Sequence, residues 1–195
     1  MWLDKINTYH IILASKSPRR QELLEKMGVS FEVLTKDVDE IFPSDLAPEA
    51  VAVYLSKLKM KAFTDEINAG KTVITADTTV VVNGEVLNKP ANEIEAMDML
   101  QKLNGNTHSV FTGVSIKNKE FKISFTDEAK VTFETLAEKE LNHYIKAYKP
   151  FDKAGAYGIQ EWIGLIGIKA INGSYFTVMG LPTHRLRTYF KELIK

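Results

Sequence analysis

The sequence predicts an α/β protein built on a mixed sheet flanked by helices. Three observations carry that expectation. A short apolar run, Ile11-Ile12-Leu13-Ala14, is followed within a few residues by Pro18. This is the pattern of a buried strand passing into a helix, because proline at the first helical position lacks only an N–H that would be unpaired anyway. Asn83-Gly84 between Val82 and Val86 is the strongest hairpin signal in the chain. Two long strand-like stretches, Ser109 to Ile116 and Phe121 to Phe133, are joined by the polar turn Lys117-Asn118-Lys119. Parallel pairing early and hairpins later imply a mixed sheet.

The elements are expected in this order. After the first strand, Ser17 suits the N-cap of a helix with Leu23, Leu24 and Met27 on its buried stripe, closed by Gly28. Phe31 to Leu34 reads as a second strand, and Asp37 to Leu46 as an irregular acidic loop. One long helix is expected from Pro48 to about Asn68, stopped at Gly70. Thr72 to Ala76 and Thr79 to Val82 are β-branched runs, with the hairpin after them. Asn92 and Glu95 fit a capping box for a helix over about Glu93 to Leu103, ended by Asn104-Gly105. Thr135 and Glu138 suggest another, before a helix ending near Tyr148. A loop from Pro150 to Gln160, a last strand from Ile163 to Ile171, and a helix from Leu186 to Ile194 entered through Pro182 complete the chain.

Composition narrows the function classes. Lys plus Arg and Asp plus Glu each number 25, and the formal charge of zero argues against life on long nucleic acids. Absence of cysteine removes disulfides and thiolate chemistry. No signal peptide is visible at Met1-Trp2-Leu3-Asp4-Lys5, and no apolar run approaches the ~18 residues of a membrane span. A cytoplasmic protein with no membrane and no nucleic-acid partner is expected.

The most informative stretch is Ser15-Lys16-Ser17-Pro18-Arg19-Arg20. A strand feeding a helix presents free backbone N–H groups and the positive dipole end to one point. Two arginines in that first turn oppose the dipole, and a phosphate would resolve the conflict; a solvated basic turn is the plainer reading. Lys57, Lys59 and Lys61 form a second basic cluster, in which Lys57 and Lys61 share a helix face and Lys59 points elsewhere. Such a cluster is also what ordinary solubilising charge looks like. Lys89, before Pro90, sits in a turn from which it could reach a phosphate. The acidic candidates are Glu40, in Asp37-Val38-Asp39-Glu40, and Asp77, expected at the end of the strand Val73 to Ala76. One or two carboxylates suffice to hold Mg²⁺ when substrate oxygens and water complete the shell; otherwise Asp77 is a turn aspartate capping the next backbone. Gly70-Lys71-Thr72 fails as a phosphate loop because a helix precedes it. The four histidines lack metal-ligand spacing, and no Gly-x-Ser-x-Gly elbow exists.

Together these pieces resemble the Maf family of nucleotide pyrophosphatases from about Ile11 to the C-terminus. Ser15 to Arg20 looks like the family's S-x-S-P-R-R opening, and Asp39-Glu40 sits at its D-E pair. Lys57 and Lys59 fall in its lysine-bearing helix, Ala76-Asp77-Thr78 matches A-D-T, and Asn88-Lys89-Pro90 resembles G-K-P. His108 to Val114 matches H-x-V-x-T-G-V, Asp152 to Gln160 resembles D-K-A-G-A-Y-x-I-Q, and Gly180-Leu181-Pro182 matches G-L-P. The departures are Thr79 for valine, Asn88 for glycine, and Glu161-Trp162-Ile163 where members show glycine and smaller residues. Trp162, beside Gln160, bears on nucleotide preference.

The resemblance implies a single two-lobed domain over 1–195, similar in fold to inosine triphosphate pyrophosphatases, with a central cleft. It implies hydrolysis of dTTP and UTP, and of modified pyrimidine triphosphates, to monophosphate and pyrophosphate. The expected cofactor is a divalent cation, Mg²⁺ or Mn²⁺, held by Glu40 and Asp77, and Asp77 is also expected to act as general base. Ser15, Arg19, Lys57, Lys59 and Lys89 are the expected phosphate binders. Arg20, Thr78 and Gln160 look like the positions that select the base, and a glutamine amide can both donate to and accept from a uracil edge. A homodimer is implied. The alternatives are a 7-methyl-GTP pyrophosphatase or a non-catalytic nucleotide-binding regulator of cell division.

Overall fold

The computed structural model describes all of residues 1–195. Its elements in chain order are α1 (Trp2–Ile6), β1 (Ile11–Leu13), α2 (Pro18–Lys26), β2 (Glu32–Val33), α3 (Pro48–Lys61), α4 (Thr64–Asn68), β3 (Thr72–Val82), β4 (Glu85–Leu87), α5 (Glu93–Leu103), β5 (Thr107–Lys117), β6 (Lys122–Phe133), α6 (Glu138–Tyr148), α7 (Trp162–Gly167), β7 (Ile168–Asn172), α8 (Tyr175–Val178) and α9 (Thr183–Leu193). The strands form one seven-stranded sheet in the order β2-β1-β3-β5-β6-β7, with β4 paired to β3. The β1 pairings to β2 and β3 are parallel, and those of β3 with β4 and β6 with β7 are antiparallel. The expected mixed α/β architecture, a central sheet flanked by helices, is therefore the observed one.

The chain falls into two compact units. Unit 1 comprises Met1–Asp77, Thr112–Asp127 and Gly180–Lys195, and unit 2 comprises Thr78–Phe111 and Glu128–Met179. In unit 1, Ile12, Ala14 and Val73 from the parallel strands pack with Met60, Phe63 and Ile67. Gly113 lets the helix lie directly on the sheet: a Cβ there would fall 2.2 Å from Val53 N and 2.3 Å from the Ala52 carbonyl carbon. In unit 2, His108, Phe133 and Tyr157 form a buried ring cluster with centroids 5.1–5.5 Å apart. The hairpin at 83–84 has both residues at positive φ, +50° for Asn83 and +79° for Gly84, as a two-residue turn that follows the strand twist requires.

Several local expectations need correction. The helix expected from Pro48 to Asn68 is two helices: Thr64 Oγ donates to the Lys61 carbonyl at 3.0 Å, and Phe63, with φ −106°, turns inward at the break. A hydroxyl that takes a helical carbonyl and an aromatic anchor together outweigh the helical propensity of the run. The two β-branched runs are one strand, so Asp77 lies inside β3 and not at its end. Ile163 to Gly167 is helical, with Gly164 and Leu165 N–H both bonded to the Glu161 carbonyl, and the strand begins only at Ile168. Gly164 has no side chain because a Cβ would meet the Ile159 carbonyl at 1.9 Å. The cap of α6 is Ala137, whose N–H is held by Glu140 at 2.7 Å, so Thr135 and Glu138 form no box. Ser17 occupies its N-cap position without a side-chain cap bond.

Candidate active site

Of the candidate residues in unit 1, Glu40, Lys59, Ser15 and Arg20 lie around Asp77. Strand side chains alternate, so Thr75 and Asp77 face the same way, and helix side chains three apart share a face, so Ser56 and Lys59 do too. Two contacts result. Thr75 Oγ donates to the Ser56 carbonyl at 2.7 Å, and Lys59 Nζ reaches Asp77 Oδ1 at 2.5 Å. Ser56 Oγ also pairs with Ser115 Oγ at 2.9 Å, fixing the helix against β5. The same ammonium reaches Glu40 Oε1 at 2.9 Å. One lysine thus gathers two carboxylates, one buried on a strand and one exposed on a loop.

Parallel pairing of β1 with β3 runs from Ile11↔Thr72 to Leu13↔Ile74 and ends with Ala14 N–H on the Ile74 carbonyl at 2.8 Å. Ser15 and Asp77 both follow that last rung, and Arg20 bridges Ser15 to Ala76 beyond it. Ser15 is buried and its Oγ accepts from Ser17 N–H at 3.2 Å and from Arg20 Nη1 at 3.3 Å. Arg20 also donates to the carbonyls of Ala76 at 3.0 Å and Gly180 at 2.8 Å. Burial lowers its pKa from the ordinary arginine value, opposed by the nearby Asp77 carboxylate. Its fork joins three chain segments of unit 1. Arg19 is half-buried on the first turn of α2, and Lys16 ties the helix entry to Asp37 at 2.7 Å. Lys57, by contrast, is exposed, and the structure gives it no hydrogen bond or ion pair.

Unit 2 holds Thr78, Lys89 and Gln160. Thr78 is half-buried on β3, directly after Asp77; Lys89 and Gln160 are exposed. The segment carrying Lys89 is linked to the loop that leads to Gln160 by Gly155 N–H on the Asn88 carbonyl at 3.2 Å. Gly155 adopts φ +66°, which strains any side chain, and a Cβ there would press on both Val80 methyls at 3.0 Å. Trp162 packs edge-on against His143, 5.1 Å between centroids. Sequence reasoning missed Tyr144 and its grouping with Lys153 and Glu161, a largely buried polar group beside Gln160; Glu161 stands out in the sequence only as a departure from the family pattern. Lys153 was visible only as part of a motif, and Tyr144 lies on a different element.

The donor set suits a hard divalent cation only in part. No cluster of three or more His, Cys, Asp or Glu side chains able to hold a metal forms. Glu40 and Asp77 are two hard oxygen donors converging on one positive charge, and they fit a cation that takes its remaining ligands from phosphate and water. No helix is long and apolar enough to cross a membrane.

Residues 10–193 match the family model described as Maf-like protein. A protein of Bacteroides thetaiotaomicron named dTTP/UTP pyrophosphatase is 46% identical over 192 residues, covering 98% of this chain and 100% of that protein. The protein of the same name from Phocaeicola vulgatus is 47% identical with the same coverage, and that of Cytophaga hutchinsonii is 47% identical over 95% of this chain and 85% of its own length. A solved structure of the Staphylococcus aureus Ham1 protein matches with a TM-score of 0.54 over 94% of this chain and 99% of that one; at 17% identity it shows a shared fold alone. On the family match and on identity over nearly the whole chain, this protein belongs to the Maf-like family.

Proposed function

We propose that this chain is a cytoplasmic nucleoside triphosphate pyrophosphatase, hydrolysing dTTP, UTP and modified pyrimidine triphosphates to the monophosphate and pyrophosphate, and clearing such nucleotides from the pool. The observation that carries the reading is the meeting of Asp77 and Glu40 on Lys59, next to the strand-to-helix turn at Ser15. It supports an anion-handling centre in which a carboxylate can take a proton. A Mg²⁺ or Mn²⁺ ion held by Glu40 and Asp77 would supply charge neutralisation on the triphosphate oxygens. Asp77 accepts the proton of the water that attacks the α-phosphorus, while the bond to the pyrophosphate oxygen breaks. Lys59 holds the Asp77 carboxylate in one rotamer. Lys59, with Ser15, Arg19, Lys57 and Lys89, donates to phosphate oxygens as negative charge moves onto the leaving group. Arg20, Thr78 and Gln160 select the base, with Arg20 acting by bracing the chain at Ala76 and Gly180.

In this reading residues 1–195 act as one domain and assemble as a homodimer. Support for a dimer comes from unit 2, where the edge strand β7 and its neighbours expose Leu165, Ile166, Ile171, Tyr175 and Phe176. The deciding experiment incubates the protein with dTTP, UTP and 7-methyl-GTP in Mg²⁺ or Mn²⁺ and resolves the products. Monophosphate and pyrophosphate in equal amounts from dTTP and UTP are expected. Orthophosphate as the product, or no turnover by folded protein, would overturn the reading.

A further inference from the structure

Gln160 is the one exposed residue of a four-residue turn, 158–161, closed by the Glu161 N–H on the Gly158 carbonyl at 3.0 Å. Both ends of that turn are held by one buried polar group. The Tyr144 hydroxyl accepts from Gly158 N–H at 3.0 Å and donates to the Glu161 carboxylate. Lys153 Nζ lies 3.1 Å from the other oxygen of the same carboxylate and 2.6 Å from Asp152. The Lys153 side chain is only 8% exposed, so its charge is committed within this network. Gly158 makes room for the pair: a Cβ there would stand 2.7 Å from the Glu161 carboxyl carbon and 3.0 Å from Lys153 Cε. Glu161 also stands where the family resemblance calls for glycine, so this chain has placed a carboxylate directly after Gln160 and turned both its oxygens inward.

The chemistry of base selection makes such a restraint useful. The pairing edge of uracil or thymine offers an acceptor and an N–H donor, and that of cytosine offers the reverse. A glutamine amide turned over satisfies either one. Discrimination therefore needs an amide held in one orientation, which in turn needs a fixed backbone beneath it. We infer that Tyr144, Lys153 and Glu161 form a positioning clamp on the 158–161 turn that makes Gln160 selective for uracil and thymine over cytosine. The clamp rests on the reading of Gln160 as the residue that meets the base, and its members touch no substrate.

The test compares kcat/KM for UTP and CTP in wild type, Tyr144→Phe, Gln160→Ala and the double variant, each assayed well below its own Tm. Tyr144→Phe removes both turn bonds with almost no change in volume, and Glu161→Gln serves if it does not fold. Misplaced binding groups cost up to ~100-fold in rate, and loss of the clamp is expected to lower the UTP/CTP ratio at least ~10-fold. In the Gln160→Ala background the same substitution should change the ratio no further, as coupling through Gln160 requires. A wild-type ratio in Tyr144→Phe, with the ratio lost in Gln160→Ala, rejects the clamp and leaves Gln160 as base reader. An unchanged ratio in Gln160→Ala removes both. Equal losses with and without Gln160 would show that Tyr144 acts by another route and reject the clamp.

Discussion

At the scale of single residues, the site turns on what Asp77 and Lys59 do for each other. Asp77→Asn keeps the shape and the capacity to accept from Lys59 but removes the basic carboxylate. With Asp77 as general base, kcat for UTP should fall by about 10²–10⁴ with little change in Tm. Near-normal turnover would end the base assignment. Lys59→Met makes the opposite disturbance, leaving the carboxylates of Asp77, 9% exposed, and Glu40, 40% exposed, without their shared cation. Loss of a buried partner costs more than loss of a surface one, and this mixed case should destabilise by about 2 kcal/mol. Adding Mg²⁺ should raise the Tm of Lys59→Met more than that of wild type, because a cation can replace the missing ammonium; equal rises would argue against a cation site at Glu40 and Asp77. Ser15 and Arg20 stood out in the sequence because they flank a strand-to-helix turn, and Asp77 because it ends an apolar run, although that run continues as β3 beyond it. Helical spacing put Lys57 and Lys59 on different faces but did not say which face meets the sheet. The structure turns Lys59 to the strand and Lys57 to solvent, a difference set by how α3 is rotated on the sheet. Glu161 stood out only as a departure from the family pattern and Tyr144 not at all, since nothing local marks a tyrosine on one helix as the partner of a turn 14 to 17 residues away.

At the scale of elements, the rotation of α3 depends on Gly113. A Cβ at that position would lie 2.2–2.3 Å from the backbone of Ala52 and Val53, and backbone on both sides cannot yield as a flexible side chain would. Gly113→Ala should therefore cost at least about 3 kcal/mol, the upper end for overpacking, and should lower turnover through displaced Lys59. Urea unfolding with an unchanged m-value would measure the cost, and a loss below about 1 kcal/mol would show that the helix can move away freely. The sequence made most elements legible where a turn residue with a specific backbone need marked the boundary: Gly28 at φ +76°, Asn83-Gly84, and Gly105 at φ +68°. It misled where tertiary contacts decided. The break between α3 and α4 depends on burial of Phe63, and the continuity of β3 through Asp77 depends on pairing partners on either side. The apolar run after Trp162 suited helix or strand equally until Gly164 packed on the Ile159 carbonyl.

At the scale of the whole molecule, a buried histidine ties stability to pH. His108 is 2% exposed, its Nε2 lies 2.9 Å from the Tyr157 hydroxyl, and its Nδ1 has no partner. Burial holds its pKa down to about 4 from the usual 6.5, and burial also raises that of Tyr157 above its ordinary value, so both are neutral near pH 7. Between pH 6.5 and about 4 the unfolded chain binds a proton at His108 that the folded chain does not. Stability therefore rises with pH across that window, is complete above 6.5, and is lost as pH falls through the folded pKa. The loss is limited to about 3 kcal/mol for this one group. Carboxylates paired with lysine, such as Glu66 with Lys36, titrate lower and add to the decline mainly at the acid end. His108→Phe keeps a ring against Phe133 and Tyr157 but cannot take a proton. Its unfolding free energy at pH 7 should be lower, because the Tyr157 hydroxyl loses its partner. The drop on going from pH 7 to pH 4.5 should nonetheless be about 2–3 kcal/mol smaller than in wild type. Parallel pH profiles for the two proteins would mean that His108 titrates normally in the fold, and that acid sensitivity arises from the carboxylates alone.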